Sequence, residues 1–144
     1  MESNTSAFNL IKKKKLKILI KSTPLHYACA GTFLKCVELL INAGAEVNEV
    51  NICISGEFND NINDCFAGGC GCTPLMLACA FDQDGYVVRE LVLNARARSD
   101  IVDKNGYNTL HYASLQGNRN VFEIVILLII ILNKLLLVLI DLFS

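Results

Sequence analysis

The chain has 144 residues, a length that favours a single domain. Hydrophobic residues make up 53% of it and charged residues 19%, which is apolar for a soluble chain, so something besides a globular core must explain the composition. The formal net charge of -1 excludes a global electrostatic attraction to nucleic acid, which is therefore not an expected partner.

Residues 1–22 form a basic N-terminal segment. Its run "KKKKLK", Lys12–Lys17, is typical of a solvated segment, of a signal that directs a protein to the nucleus, or of a contact for an anionic surface. The sequence carries no secretory signal and has seven cysteines, an odd number, so a reducing location is favoured over a disulfide framework. We therefore expect the protein in the cytoplasm or the nucleus.

One short string occurs three times, and each copy predicts the start of a helix. The copies are "TPLHYAC" at Thr23–Cys29, "TPLMLAC" at Thr73–Cys79 and "NTLHYAS" at Asn108–Ser114. The first side chain of each can accept hydrogen bonds from the free N–H groups of a first helical turn, and proline fits the next position, where no donor is needed. The leucine and the alanine of each string lie three residues apart, so they share one helical face.

A second apolar run follows each helix start and predicts a partner helix. In the first copy this run is "CVELLI", Cys36–Ile41, and Gly44 supplies a left-handed stop after it. The alignment matches Leu39–Ile41 with Leu91–Leu93 and with Ile124–Ile126.

The spacing of the copies predicts two insertions. The copies start at residues 23, 73 and 108, whereas the ankyrin repeat that these strings resemble has a period of about 33 residues. We place 17 extra residues within residues 52–70 and two extra residues in "DQDG", Asp82–Gly85, between the two helices of the second copy. The larger insertion is rich in turn-forming residues, so we predict a flexible finger that is dispensable for folding.

The cysteines divide into two groups. Four lie in or beside the larger insertion, but their spacing departs from the paired C-x2-4-C pattern of structural zinc sites, so no metal is expected. The other three are predicted to be packing residues, because free cysteine is commonly buried. The first group is Cys53, Cys65, Cys70 and Cys72, and the second is Cys29, Cys36 and Cys79.

Residues 127–144 form an apolar tail with no signal that ends a helix. The positions of Gly44 and Ala45 in the first copy hold Ile129 and Ile130 here, so the helix should run on and be apolar on all sides. Such a helix has to be buried in protein or lipid. Three interpretations stay open: a membrane anchor through residues 124–140, a packed or self-associating helix, and the end of a truncated repeat array. All three predict that the tail makes the isolated chain poorly soluble.

The recurring unit of residues 23–126 resembles the ankyrin repeat, whose T-P-L-H-x-A signature and period are its specific features. The resemblance implies an all-α solenoid of three helix-turn-helix repeats with hairpin-like fingers, followed here by the apolar C-terminal helix. It also implies a protein-binding scaffold. The sequence departs from the pattern at Met76, which replaces the signature histidine, and at Thr32 and Arg96, which replace glycines.

A narrower resemblance covers residues 71–118. The strings "GCTPL", "DQDG" and "DKNGYNTLHY" are similar to those of the ankyrin repeat regulatory subunits of serine/threonine protein phosphatase 6. This resemblance implies that the partner is a catalytic or associated subunit of that phosphatase.

The sequence predicts no enzyme and no cofactor. Both histidines, His26 and His111, hold the signature position, where the ankyrin resemblance implies hydrogen bonds within and between repeats. The acidic pair Asp82 and Asp84 has no histidine or nucleophile in register. The glycine-rich string at residues 67–72 lacks the lysine of a phosphate-binding loop.

Partner binding is predicted at the finger tips and at the starts of the first helices. Turn formation alone is the alternative interpretation of these residues, since Asn, Asp and Gly form turns wherever they occur. The alternative function is a membrane-tethered ankyrin adaptor that is anchored by its apolar helix. The predicted partner-binding residues are Asn48, Glu49, Asn51, Asp103, Lys104, Asn105 and Tyr107.

Overall fold

The structure, a computed structural model, describes residues 19–20, 22–53 and 71–144. The lysine run Lys12–Lys17 and the insertion residues 54–70 lie outside the described residues, so the predictions made for them are not tested. The elements are β1 (Leu19–Ile20), α1 (Pro24–Ala30), α2 (Leu34–Asn42), β2 (Ile52–Cys53), α3 (Pro74–Phe81), α4 (Tyr86–Arg89), α5 (Thr109–Gln116) and α6 (Arg119–Phe143).

The helices α1, α3 and α5 begin at the predicted caps. Thr23, Thr73 and Asn108 each accept a hydrogen bond from the backbone N–H three residues further on, which satisfies a donor of the first turn. Proline follows the cap in the first two copies. In the third copy Thr109 takes this position, and its buried hydroxyl makes no hydrogen bond within the described part of the chain. The predicted helix starts are confirmed.

The helices stack as a solenoid with one continuous core. Helix α1 packs against α3, and α3 packs against α5, while α2 and α6 pack against α1 and α5 of their own copies. The predicted inward face is buried at Leu25, Leu75 and Ala113, whereas Leu110 of the last copy is only partly buried. The prediction of an all-α fold is confirmed. Within the described ranges the exceptions are β1 and β2, a two-residue antiparallel pair with Ile20 opposite Ile52.

Hydrogen bonds at the ends of the second helices correct the predicted alignment. The N–H of Ala45 donates to the Leu40 carbonyl at 3.0 Å, and the N–H of Ala97 donates to the Leu91 carbonyl at 2.9 Å. Leu91 therefore corresponds to Leu40, and its match to Leu39 was wrong. The burial agrees, because Leu39 is 69% exposed and Leu91 is fully buried.

The two extra residues of the second copy consequently lie in different places. One belongs to the loop Asp82–Gly85, as predicted. The other widens the second helix, which continues from α4 as a π-helical turn over Glu90–Asn94. A π-turn is the local form that an α-helix takes when it holds one additional residue. The prediction that both residues lie in the loop was wrong, because residue counts alone do not show where a helix changes its hydrogen-bond register.

Seven of the described residues have left-handed backbone, and three of them bear on the sequence predictions. Gly44 has φ 86°, so the predicted glycine stop is confirmed. Thr32 and Arg96, the two residues that replace glycines, also have positive φ, 56° and 54°. This conformation is less favourable for an L-residue than for glycine, so Thr32 and Arg96 each lower the free energy of unfolding.

The apolar tail continues one long helix, as predicted. Helix α6 has 25 residues; Val121 and Val125 are buried in the solenoid, and every residue from 131 to 144 is exposed. By length and composition it is the one helix among the described residues that could cross a membrane, and 6% of its most apolar window is buried.

The cysteine predictions hold in part. Cys29 and Cys79 are buried in the core, as expected. Cys36 is exposed, so the prediction that it packs was wrong: it lies on α2 next to the buried Val37 but on a different face. Cys72, assigned to the insertion, is fully buried, and its Sγ lies 3.1 Å from the Tyr112 hydroxyl.

Candidate functional site

The bases of two finger turns are closed in the same way. The Asn51 side chain accepts a hydrogen bond from the Cys72 N–H at 2.7 Å, and the Asp103 side chain accepts one from the Tyr107 N–H at 2.9 Å. The backbone N–H groups of Asn51 and Asp103 donate back to the carbonyls of Cys72 and Tyr107, at 3.0 and 2.8 Å. The first pair is 21 residues apart and the second is four, so the first turn holds the 17 extra residues.

Two of the predicted partner-binding residues therefore have structural roles. Asn51 is 2% exposed and Asp103 is 5% exposed. The second carboxylate oxygen of Asp103 also accepts a hydrogen bond from the Tyr112 hydroxyl at 2.6 Å. Their burial leaves no side-chain surface for a partner, so we do not include either residue in the proposed surface.

The other five predicted residues lie nearer the surface, but in separate turns. Asn48 joins two fingers, because its side chain accepts a hydrogen bond from the Arg98 N–H at 2.8 Å. Glu49 is exposed beside it. Lys104, Asn105 and Tyr107 are exposed in the third-copy turn. The last three are therefore the predicted residues that the fold brings together.

His26 links the first copy to the second. Its Nδ1 accepts a hydrogen bond from the Thr23 N–H at 3.1 Å, and its Nε2–H donates to the Cys72 carbonyl at 3.0 Å. Burial lowers the pKa of His26, so the ring is neutral and can make both bonds at once. The expected hydrogen bonds within and between copies are confirmed for this histidine.

The corresponding residues of the next two copies make only the local bond. The Thr73 N–H donates to the Met76 sulfur at 3.4 Å, and a thioether has no proton for the following copy. The Asn108 N–H donates to Nδ1 of His111 at 3.1 Å. The Nε2 of His111 meets no acceptor among the residues that the structure describes.

A groove lies beside His111, on the outer surface of the third copy. Its volume is about 420 Å³. In the first copy the equivalent residues Leu25 and His26 are covered by α3, and in the second copy Leu75 and Met76 are covered by α5. No element of the described chain covers the third copy in this way. The lining residues are Tyr107, Asn108, Leu110, His111, Ser114 and Leu115.

Of these lining residues, only Tyr107 was predicted as a site residue. The counterparts of Leu110, His111 and Ser114 are buried in the first two copies, so these three residues were missed as surface positions. The available signal was the absence of a further helix-start string after "NTLHYAS". Within residues 1–144, no repeat is therefore expected to pack on α5 as α3 packs on α1.

The groove is suited to binding a polypeptide segment. The rings of Tyr107 and His111 have centroids 5.4 Å apart and are tilted by 53°. Leu115 is 56% exposed, which provides apolar surface next to the imidazole. This arrangement can cover an apolar side chain and donate one hydrogen bond from His111. The thiols of Cys29 and Cys79 are poor nucleophiles, since burial raises the pKa of Cys29 to about 12 and also raises that of Cys79.

Comparisons with known proteins agree with this architecture. A family model described as ankyrin repeats in three copies matches residues 47–133, and a model of the single ankyrin repeat matches residues 21–52. A probable E3 ubiquitin-protein ligase, XBOS32 of Oryza sativa subsp. japonica, is 30% identical over 107 residues. The palmitoyltransferase AKR1 of Kluyveromyces lactis is 37% identical over 97 residues.

These likenesses cover most of this chain but little of either relative. The first match spans 74% of the chain and 18% of the ligase, and the second spans 65% of the chain and 10% of the transferase. Neither relative is named as a phosphatase subunit, so the narrower resemblance stays a prediction. With the helix starts, the stacked helices and both family models in agreement, the chain belongs to the ankyrin repeat family.

Proposed function

We propose that this chain is a protein–protein interaction scaffold whose binding surface is the groove of the third repeat. Ankyrin repeats serve protein binding, and the uncovered face of α5 is the observation that carries the proposal. In the two earlier repeats the counterparts of Leu110 and His111 are buried by a neighbouring helix, which supports a protein as the cover of this face.

The first repeat shows what a suitable occupant must offer. There, the imidazole of His26 donates to a backbone carbonyl while the neighbouring Leu25 is sealed by apolar side chains. A partner segment at the third repeat would accept from Nε2 of His111 and place an apolar side chain over Leu110 and Leu115. Lys104 and Asn105, exposed on the adjoining turn, would contact its polar flank.

For the partner itself we propose a catalytic or associated subunit of a serine/threonine protein phosphatase 6 type complex, in the cytoplasm or the nucleus. The support is the resemblance of residues 71–118. The scaffold would act by binding alone, without turnover of its own.

Calorimetric titration of the chain with the purified phosphatase catalytic subunit tests both levels of this proposal. The paired substitution Tyr107→Ala and Leu115→Ser should weaken binding at least about tenfold, because exposed anchors of this kind carry most of an interface's affinity. The matched control is Tyr86→Ala with Leu93→Ser, which are 61% and 62% exposed outside the groove. Equal affinity of the two pairs would reject the groove, and failure of the unmodified chain to bind would reject this phosphatase.

A second candidate is a membrane-tethered adaptor, which the exposed apolar part of α6 favours. In that case the full chain should stay with membranes through a high-salt wash, and removal of residues 127–144 should release it. Release of the full chain by salt alone would argue against a tether.

A further inference from the structure

The exposed end of α6 carries two charges on one face. Every residue from 131 to 144 is exposed, and Lys134 and Asp141 are the charged side chains of that stretch. They lie seven residues apart, so they occupy the same face of the helix. An apolar helix with one basic and one acidic group in equivalent positions can complement a second copy of itself.

We propose that the chain self-associates through antiparallel contact of residues 131–144, with Lys134 of one copy beside Asp141 of the other. The two-fold axis of such a pair repeats the contact, so each pair contains two oppositely charged contacts. This inference is independent of the groove and goes beyond the scaffold function proposed above.

The apolar side chains next to the two charges have the spacing of a helix-pairing seam. Ile131, Leu135, Val138 and Leu142 follow one another at intervals of four, three and four residues. Their exposed fractions are 50%, 54%, 53% and 73%, so each has surface that a partner helix can cover. Asn133 falls on the opposite side of this seam by the same periodicity, where it keeps contact with water.

The register that places Lys134 beside Asp141 also aligns residues 131–144 of the two helices along their full length. With Lys134 beside Asp141, residue 131 of one helix lies near residue 144 of the other. A single pair leaves Leu136 and Leu137 exposed, and these face away from the seam.

A membrane is the alternative environment for the exposed part of α6, but the observations favour contact with a second copy of the chain. Val121 and Val125 are held in the solenoid, so the stretch Ile124–Ile140 is not wholly available to a membrane. Its 17 residues rise about 26 Å, which is at the short end of what the roughly 30 Å of a bilayer core requires. Lys134 would lie near the middle of that span, where a charge is costly, whereas Asp141 of a second copy compensates it.

Sedimentation equilibrium of the full chain, without lipid or detergent, tests the proposal. The proteins are the unmodified chain, Lys134→Asp, Asp141→Lys and the double exchange of both residues. Each single substitution sets like charges side by side and should raise the dissociation constant at least about tenfold, while the double exchange restores opposite charges and should restore association. The matched control, Arg89→Asp on the exposed side of α4, should leave association unchanged.

Circular dichroism checks that all the proteins keep the same helix content. The proposal fails if the unmodified chain is monomeric, if the single variants associate as tightly as it does, or if the double exchange is no tighter than the single ones. Equal, indiscriminate aggregation of all the proteins also contradicts it. If the unmodified chain floats as a monomer with phosphatidylcholine vesicles, lipid and not a second copy covers the exposed part of α6, and the proposal is overturned.

Discussion

Thr32 and Arg96 lie at positions whose left-handed backbone conformation favours glycine. Both have positive φ, and Thr32 is β-branched, the side-chain type least suited to this region. Replacing either with glycine should raise the free energy of unfolding by about 1 kcal/mol, since the left-handed conformation costs other residues about that much. Thermal unfolding measures the effect.

The reverse substitution, Gly44→Ala, is the matched control. A Cβ on Gly44 meets no atom within 4 Å, so any loss of stability reports the backbone conformation and not a clash. Lower melting temperatures for Thr32→Gly and Arg96→Gly would contradict the account of both turns.

His26 predicts a pH dependence of stability. Burial lowers its folded pKa below the usual 6.5, so its stabilising contribution is complete above pH 6.5 and is lost as pH falls from there through the folded pKa. Substitution by methionine, the residue at position 76 of the second repeat, should remove this loss. Unfolding free energies at pH 7.5 and 5 measure it, and an equal pH dependence for the unmodified chain and His26→Met would refute the assignment.

At the scale of the element, the helix starts could be predicted from sequence and the path of the second helix could not. A cap such as Thr73 acts on backbone groups a few residues away, so the neighbouring residues in the sequence are enough to predict it. The π-turn over Glu90–Asn94 depends on which carbonyl each N–H reaches, and several registers fit the same apolar pattern. The groove was missed for another reason: exposure of Leu115 depends on which helix packs next to it.

Deleting Leu93 tests the assignment of the π-turn. The remaining string "LVNARA" then aligns with "LINAGA" of the first repeat, residues 40–45, so the turn should become α-helical with little change in stability. Leu93 is 62% exposed and loses little packing, whereas Leu91 is fully buried. Deleting Leu91 should therefore lower the melting temperature strongly, and equal damage from both deletions would reject the assignment.

Deleting residues 54–70 tests the equivalence of the two finger turns. The shortened turn "NICGC" has the length of "DKNGY", Asp103–Tyr107, and Gly71 and Gly106 already share φ values of 80° and 82°. The chain with the shorter connection should still unfold cooperatively. Its free energy of unfolding should rise by about 1 kcal/mol, because closing a shorter loop costs less conformational entropy. Gly71→Ala in the shortened chain should reverse the gain, and a chain without a cooperative transition would show the insertion to be structural.

At the scale of the whole molecule, two surfaces are left uncovered at the same end of the solenoid. One is the groove on α5, and the other is the projecting part of α6. Both belong to the last repeat, where no further repeat of the described chain packs. The solenoid thus places the groove and the helix of the proposed self-association side by side, so that each copy in such an assembly can present a groove.

Site-specific photocrosslinking in cells tests the central claim, that the groove binds protein. A photoreactive phenylalanine derivative replaces Leu115 in the groove, and in a matched chain it replaces Leu93, which is similarly exposed on another surface. The account predicts discrete protein adducts of defined mass from position 115, lost on Tyr107→Ala, and none of them from position 93. No adduct at position 115, or the same adducts from both positions, would contradict it.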